Sequence, residues 1–144
     1  MRLLDINVLI ALCDADHPFR PKAKAWFLQH APEGWATCPL TENGVLRILG
    51  QSGYPQGPGS PAAVRPLLEI LTRRPDHQFW PDDASLLDTV AFPNLAAASA
   101  RDLTDVYLLG LALRHQGRFC TFDTRIDPAS VPQGRNALEL VPAR

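Results

Sequence analysis

The feature that most constrains this chain is a short apolar run at its start that ends on a carboxylate. Leu3 and Leu4 are typical of a buried strand that stops at Asp5. A helix follows from about Asn7. In open α/β sheets the ligand crevice lies outside the carboxyl ends of the strands. Asp5 is therefore a candidate for chemistry, although Asp and Asn are also common helix caps and these ten residues alone favour a cap.

The same alternation of a short strand and a helix continues along the chain. Further short strands are predicted at residues 35–38, 77–80, 118–122 and 137–141. Helical spacing of apolar residues is found at 8–13, 19–30, 41–49, 61–71, 86–90 and 103–115, with Gly117 ending the last of these helices. We therefore predict a single α/β domain over residues 1–144, with a mostly parallel sheet of about four to five strands flanked by helices on both faces.

The composition excludes several classes of protein. No apolar run approaches the roughly 20 residues that span a bilayer, and Asp5 comes too early for a signal peptide. The chain has an odd number of cysteines, and all three lie in apolar elements: Cys13, Cys38 and Cys120. This pattern is typical of reduced, buried thiols. No His lies at ligand spacing from them, so a zinc site is not expected. We expect a cytoplasmic protein.

Asp105 is the carboxylate that fits a purely structural role least well. Its helix is apolar almost all the way round, which predicts a buried helix. An ionised carboxylate there is costly unless it is paired or bound to a cation. Asp102 is the expected N-cap of this helix. The helix dipole would favour Asp105 by only about 0.3–1 kcal/mol.

Two further acids follow strands. Asp123 stands where the buried strand 118–122 ends, as Asp5 does for the first strand. Glu42 lies in the first turn of the helix that follows the strand at 35–38. On its own it is an ordinary Glu at a helix N-terminus. All of these positions belong to the same edge of a parallel sheet.

These four acids are therefore expected to converge on one crevice. Carboxylates that lie so close together need a compensating cation at neutral pH. Oxygen ligands without His or Cys favour Mg²⁺ or Mn²⁺ over zinc. Such a site can ionise a bound water and stabilise the charge of a phosphodiester displacement. Asn7, Asn43 and Thr121 are expected to hold the carboxylates or the water, although ordinary capping would explain them equally well.

Four blocks of the chain resemble the signature blocks of PIN-domain ribonucleases. They are Leu3-Leu4-Asp5-Ile6-Asn7-Val8-Leu9-Ile10, Glu42 on the third helix, Thr104-Asp105-Val106-Tyr107-Leu108-Leu109-Gly110-Leu111-Ala112, and Thr121-Phe122-Asp123. The most similar subgroup is the VapC toxins of bacterial toxin–antitoxin pairs. Asp16-His17-Pro18 is also similar to a loop that is common in that subgroup. The resemblance covers nearly the whole chain, in order, so it indicates the family more strongly than any one block does.

The resemblance implies a divalent-metal-dependent endoribonuclease that acts as the toxin of a type II toxin–antitoxin system. A cognate VapB-like antitoxin would hold it inactive, and it would usually be a homodimer. The family's four acidic roles fall on Asp5, Glu42, Asp105 and Asp123, with Mg²⁺ or Mn²⁺ on Asp5, Asp105 and Asp123 and a metal-activated water as the nucleophile. Ile6 stands where the family most often has Thr, which removes a hydroxyl near the metal but no ligand.

Any RNA would be bound through local basic residues, because the net charge of the chain is −1. The first candidates are Arg20, Lys22, Lys24 and Arg125, followed by Arg47, Arg73, Arg74 and Arg101. Residues of this kind are more often solvated surface charges than phosphate contacts. Sequence-specific recognition of RNA usually targets unpaired loops, so a structured RNA loop is the expected substrate.

Asp127 lies near an auxiliary acidic position of some family members.

Two other functions stay open on the sequence. A phosphatase or phospho-acceptor would use Asp5 or Asp123 as a nucleophile. It would also need a lysine late in the chain, and none follows Lys24. The other alternative is a catalytically silent module that binds RNA or the antitoxin, because four acids can be kept without turnover.

Overall fold

The sheet is five-stranded and entirely parallel. A computed structural model describes residues 1–144. The strands are β1 Arg2–Leu4, β2 Trp35–Thr37, β3 His77–Phe79, β4 Arg118–Thr121 and β5 Leu138–Leu140. Their order is β3-β2-β1-β4-β5, and every neighbouring pair is parallel. The predicted α/β class with a mostly parallel sheet is confirmed.

Helices connect these strands. They are α1 Ile6–Cys13, α2 Arg20–His30, α3 Pro39–Leu49, α4 Pro61–Thr72, α5 Leu103–Arg114 and α6 Gly134–Ala137. Short 3₁₀ turns occupy Ala31–Glu33, Leu95–Ala97, Ala100–Asp102 and Pro128–Ser130. Pro39 and Pro61 stand in the first turns of their helices, where the missing N–H has no intrahelical partner to lose. None of the helices has the length and apolarity needed to cross a bilayer.

The two faces of the sheet carry separate apolar cores. Leu4 and Cys120 belong to one cluster, with side chains of α1–α4, whereas Leu3 and Phe119 belong to the other, with side chains of α5. Side chains alternate between faces along a strand, so this division follows directly from the strand geometry. Because β1 and β4 are adjacent and parallel, their carboxyl ends lie side by side at one edge of the sheet.

The predicted helix over residues 86–90 is wrong. This segment forms turns, in which the Asp88 carboxylate accepts the backbone N–H groups of Val90 and Ala91. Leu87 and Val90 are 91% and 83% exposed. Asp side chains compete with helical hydrogen bonds in this way. Of the three apolar residues that suggested a helix, only Leu86 packs against the core.

The end of α5 also differs in detail from the prediction. The left-handed residue after the helix is Gln116, with φ 56°, and not Gly117. Gly117 serves close packing instead, because a Cβ there would lie 2.7 Å from the backbone oxygen of Met1. The helix therefore stops where expected for a different reason.

Candidate active site

Asp5 lies at the junction of β1 and α1 and is 5% exposed. Its Oδ1 accepts the backbone N–H of Ile6 at 2.7 Å, so it does cap the helix. Its Oδ2 accepts the hydroxyl proton of Thr121 at 2.6 Å. Burial raises the pKa of Asp5, the two hydrogen bonds lower it, and the charge of Asp123 raises it further. The capping role uses only one of its two oxygens.

The Thr121 hydroxyl connects Asp5, Asn7 and Asp123 at the carboxyl edge of the sheet. Its hydroxyl donates to Asp5 and accepts from the Asn7 side-chain amide at 3.3 Å and from the Asp123 backbone N–H at 3.1 Å. The Asn7 oxygen in turn accepts the backbone N–H of Phe122 at 3.4 Å. Thr121 is fully buried. This network ties α1 to the end of β4 and holds the Asp5 carboxylate in one orientation.

Three Asp carboxyls from separate elements lie close enough to affect one another. Burial, followed by the charges of Asp5 and Asp123, raises the pKa of Asp105 to about 6. A smaller effect comes from Asp102, and Arg125 acts in the opposite direction. Asp5, Asp105 and Asp123 are therefore near enough to one another for their charges to interact.

Asp123 differs from the other two because a cation is already beside it. Its Oδ1 accepts the backbone N–H of Arg125 at 2.8 Å and the guanidinium Nε of the same residue at 3.2 Å. These contacts hold the pKa of Asp123 below its usual range. Arg125 is itself exposed, so the ion pair is open to solvent and is expected to contribute little stability.

Asp105 and Asp123 line a cleft of about 430 Å³, which we call the acid cleft, whereas the buried Asp5 is not part of its lining. Its polar lining includes Asn94, Arg101, Asp102, Asp105, Asp123 and Ser130. The Ser130 hydroxyl is buried and has no hydrogen-bond partner in the protein. Asp102 occupies the N-cap position of α5, but its carboxylate accepts the Ser99 hydroxyl instead of capping the helix, so the predicted cap is wrong.

Glu42 lies apart from the three Asp carboxyls. Its Oε2 accepts the hydroxyl of Thr37 at 2.7 Å, and His77 Nε2 lies 2.8 Å from the same hydroxyl. Glu42 contributes to the pKa of none of the three Asp residues. Together with the exposed Asn43 it lines a different groove, between α3 and α4. The structure therefore does not bring Glu42 or Asn43 into the acid cleft.

The chemistry of the donor set fits a hard divalent ion. No three His, Cys, Asp or Glu side chains lie close enough together to hold a metal ion directly. The groups whose charges affect Asp105, namely Asp5 and Asp123, are carboxylates too, and they destabilise its ionised form. Mg²⁺ keeps several waters and needs only one or two carboxylates, so binding partly through water suits this arrangement.

The predicted RNA-binding residues are not grouped together. Lys22 and Lys24 are exposed on α2, and the Nε of Arg20 is buried without a partner. None of the three lines the acid cleft, whereas Arg125 does. Sequence reasoning missed Thr37, His77 and Ser130, since no spacing links them to the acids.

Removing the charge of Asp105 is expected to stabilise the metal-free protein. The folded pKa of about 6 lies above the unfolded value of about 3.9, so the ionised form is penalised on folding. The penalty is complete above pH 6 and disappears below pH 4. After allowance for partial solvent screening, Asp105→Asn is expected to gain about 1–2 kcal/mol at pH 8.

The measurement is thermal unfolding in EDTA at pH 8 and pH 4. A gain of about 2–4 °C per kcal/mol is expected at pH 8, with almost none at pH 4. Asp88→Asn, at an exposed loop position, is the matched control and should change neither value. An unchanged or lower melting temperature for Asp105→Asn at pH 8 would contradict a crowded acidic site.

The chain is similar to known proteins over most of its length. A model of the PIN domain family matches residues 2–131 of this chain, a range that includes all four acids predicted from the sequence. Ribonuclease VapC44 of Mycobacterium tuberculosis H37Rv is 41% identical over 133 residues, covering 90% of this chain and 91% of that protein. Ribonuclease VapC39 of the same strain is 41% identical over 129 residues, covering 89% and 93%. Ribonuclease VapC38 is 35% identical over 141 residues, covering 98% of each.

Proposed function

This chain belongs to the PIN domain family, and we propose that it is a divalent-metal-dependent endoribonuclease, the toxin of a type II toxin–antitoxin system. The similar proteins are named ribonucleases and match this chain over nearly its whole length. The observation that carries the proposal is the mutual effect of Asp5, Asp105 and Asp123. Capping explains Asp5 and the contact with Arg125 explains Asp123, but nothing in the protein compensates the charge of Asp105, which is ionised beside them at a cost in folding free energy.

We propose that Asp5, Asp105 and Asp123 hold Mg²⁺ or Mn²⁺. When bound, such an ion supplies a water of lowered pKa and stabilises negative charge on a phosphodiester. The buried hydrogen bond from Thr121 fixes the Asp5 carboxylate before any ligand arrives. Groups oriented in advance spend no reorganisation energy during the reaction.

Asp105 links ion binding to pH. A carboxyl with a pKa of about 6 is partly protonated near neutral pH in the metal-free protein. A dication must displace that proton, so its apparent affinity is expected to rise with pH up to and slightly beyond pH 6. This coupling is a property of the chain alone and can be measured without any RNA.

Glu42 is included in the proposed catalytic set because of the family resemblance. Its carboxylate is held by Thr37 and lies outside the acid cleft. We propose that it acts through an intervening water and not as a direct ligand. Asn7 and Thr121 are proposed as the residues that orient Asp5, and Arg125 as a phosphate contact that leaves Asp123 when RNA and ion are bound.

The remaining partners are proposed on the same basis. A VapB-like antitoxin would inhibit the enzyme, and the protein would be a cytoplasmic homodimer. Cys38 and Cys120 are buried thiols without disulfides, which is consistent with a reducing compartment. A cognate antitoxin is expected to be encoded in a small reading frame directly upstream.

Metal removal tests the proposed activity. The purified protein is expected to cleave a pool of structured RNAs with Mg²⁺ or Mn²⁺, to lose cleavage in EDTA, and to recover it when excess metal is restored. Mapping the cleaved ends by sequencing would identify the target loop. Cleavage that persists in EDTA would contradict the metal-dependent mechanism. Binding of RNA without cleavage under all conditions would favour a catalytically silent RNA-binding module.

A further inference from the structure

A second recess, lined by aromatic rings, opens beside the acid cleft. It has a volume of about 340 Å³, and we call it the aromatic recess. Its lining includes His17, Phe19, Phe122, Asn7, Asp123 and Arg125. None of the three rings has a role in the chemistry proposed above. His17 belongs to the Asp16-His17-Pro18 loop, for which the proposed activity gives no function.

The three rings form one connected group. Phe19 contacts His17 with ring centroids 5.3 Å apart at 63°, and it contacts Phe122 at 5.1 Å and 75°. These are edge-to-face contacts, which hold rings at steep angles to one another. All three side chains are only partly buried, and the two Phe rings pack against the core on their inner sides. The group is therefore a rigid aromatic surface that solvent still reaches.

One backbone hydrogen bond decides which nitrogen of the His17 ring carries the proton. His17 Nδ1 accepts the backbone N–H of Phe19 at 3.0 Å. A neutral ring whose Nδ1 accepts a hydrogen bond carries its proton on Nε2. No protein group accepts that second N–H, so it is available to a ligand. The Arg144 guanidinium lies over the Phe19 ring, 5.3 Å from its centroid, and adds a positive charge next to the rings.

The aromatic recess and the acid cleft share a wall. Asp123 and Arg125 line both of them. A group bound in the recess is therefore the immediate neighbour of a group bound at the acids. Any polymer cleaved at the acids would pass this wall, with its next unit facing the rings.

We propose that the aromatic recess binds an unpaired nucleobase of the RNA, one nucleotide away from the phosphate that is cleaved. This inference rests on the proposed function and identifies how that site selects single-stranded RNA. The base would stack on the Phe122 ring and meet Phe19 edge to face, because the two rings are 75° apart. The His17 Nε2–H would donate to an acceptor on the edge of the base. Arg125 and Arg144 would contact the adjoining phosphate.

A nucleotide matches all three features of the recess at once. Its base has a flat π face for the rings and acceptor atoms for the imidazole N–H, and its phosphate is an anion for the guanidinium groups. An aromatic side chain of a partner protein would match only the ring surface. A protein occupant is therefore the less complete match, and the experiment below separates the two.

The test uses substitutions that keep apolar volume but remove the ring. Phe19→Leu and Phe122→Leu retain contact with the core, whereas Phe122→Tyr retains the ring. Phe79→Leu is the matched control, because Phe79 is 56% exposed on β3 at the far side of the sheet. Binding is measured by fluorescence anisotropy with a labelled single-stranded RNA octamer in EDTA. Cleavage is measured separately with Mg²⁺.

The two Leu variants are expected to raise Kd and KM about 5- to 20-fold, in line with the loss of one base stack, and to change kcat less than about twofold. Phe122→Tyr and Phe79→Leu should stay within about twofold of the unchanged protein. Octamers with a single abasic position supply a second measurement, which needs no variant. Removing the base next to the cleaved bond should weaken RNA binding by the unchanged protein about as much as the Phe122→Leu substitution weakens binding of the intact RNA. The same abasic RNA should bind the Phe122→Leu variant about as well as the intact RNA does.

The outcomes separate this inference from the proposed activity. If the protein binds RNA through the rings but never cleaves it, the nuclease proposal fails and the base site stands. If it cleaves RNA while the Leu variants keep normal Kd and KM, the base site is overturned. Normal RNA binding combined with weakened binding of an antitoxin protein would overturn it in favour of a protein occupant. If the Leu variants fail to fold, the abasic series decides alone, and the absence of any RNA binding by the unchanged protein overturns both ideas.

Discussion

Replacing Asp5 or Asp105 by Asn is expected to lower the rate of RNA cleavage at least about 1000-fold, which corresponds to about 4 kcal/mol of transition-state stabilisation. Asn has nearly the same shape as Asp and is an equally good helix cap, so the contact between Asp5 Oδ1 and the Ile6 N–H can be kept. What the substitution removes is one of the negative charges that hold the cation. The fold should therefore survive a change that abolishes the chemistry.

The experiment compares kcat/KM of Asp5→Asn and Asp105→Asn with that of Asp88→Asn. Asp88 is exposed in the loop between β3 and α5, and its loss of charge should leave cleavage unchanged. Circular dichroism and thermal unfolding show whether each variant is folded. Cleavage by folded Asp5→Asn at the rate of the unchanged protein would refute the assignment of the active site.

Replacing Thr121 by Val is expected to lower kcat/KM about 10- to 100-fold, as is typical for residues that orient metal ligands. Val has nearly the same shape as Thr, so it fills the same space at this fully buried position. Its methyl group cannot donate to Asp5 or accept from Asn7 and the Asp123 backbone N–H. Three polar groups lose their partner, and each one that stays buried and unpaired costs about 1–3 kcal/mol.

Thr121→Ser is the control for this prediction, because it keeps the hydroxyl and removes only a methyl group. It should keep most of the activity, with a modest loss of stability from the small cavity. Measuring kcat/KM at a temperature well below the unfolding midpoint separates the loss of orientation from the loss of fold. Equal kcat/KM for Val and Ser would mean that the hydroxyl plays no part in positioning Asp5.

The elements that the sequence predicted correctly are those in which local pattern and burial agree. β1 and β4 read as short apolar runs, and each is paired and buried as expected. One wrong prediction, a helix over 86–90, was based on three apolar residues of which only Leu86 packs against the core, in a segment held in turns by Asp88. Apolar spacing predicts a helix only where a partner surface exists, and the sequence does not display that surface.

The positions of the acidic residues also depend partly on local sequence and partly on tertiary packing. Asp5 and Asp123 were predicted from their places at the ends of two strands, and adjacent parallel strands bring them together. Glu42 also follows the carboxyl end of a strand, yet its carboxylate accepts a hydrogen bond from Thr37 and lines a different groove. Strand order decides which ends are neighbours, but the hydrogen bonds available around each side chain decide where it points.

The sequence by itself determined the alternation of strands and helices and the presence of acids at the carboxyl edge of the sheet, because both depend on residues within a few positions of one another. Only the tertiary structure decided that Asp105 and Asp123 share a cleft, with the charge of Asp5 near enough to affect Asp105, while Glu42 lines a different groove. It also decided that His17, Phe19 and Phe122 line a recess beside that cleft. These contacts join segments from 18 to more than 100 residues apart along the chain. Their geometry depends on the packing of whole elements, which no local pattern of residues encodes.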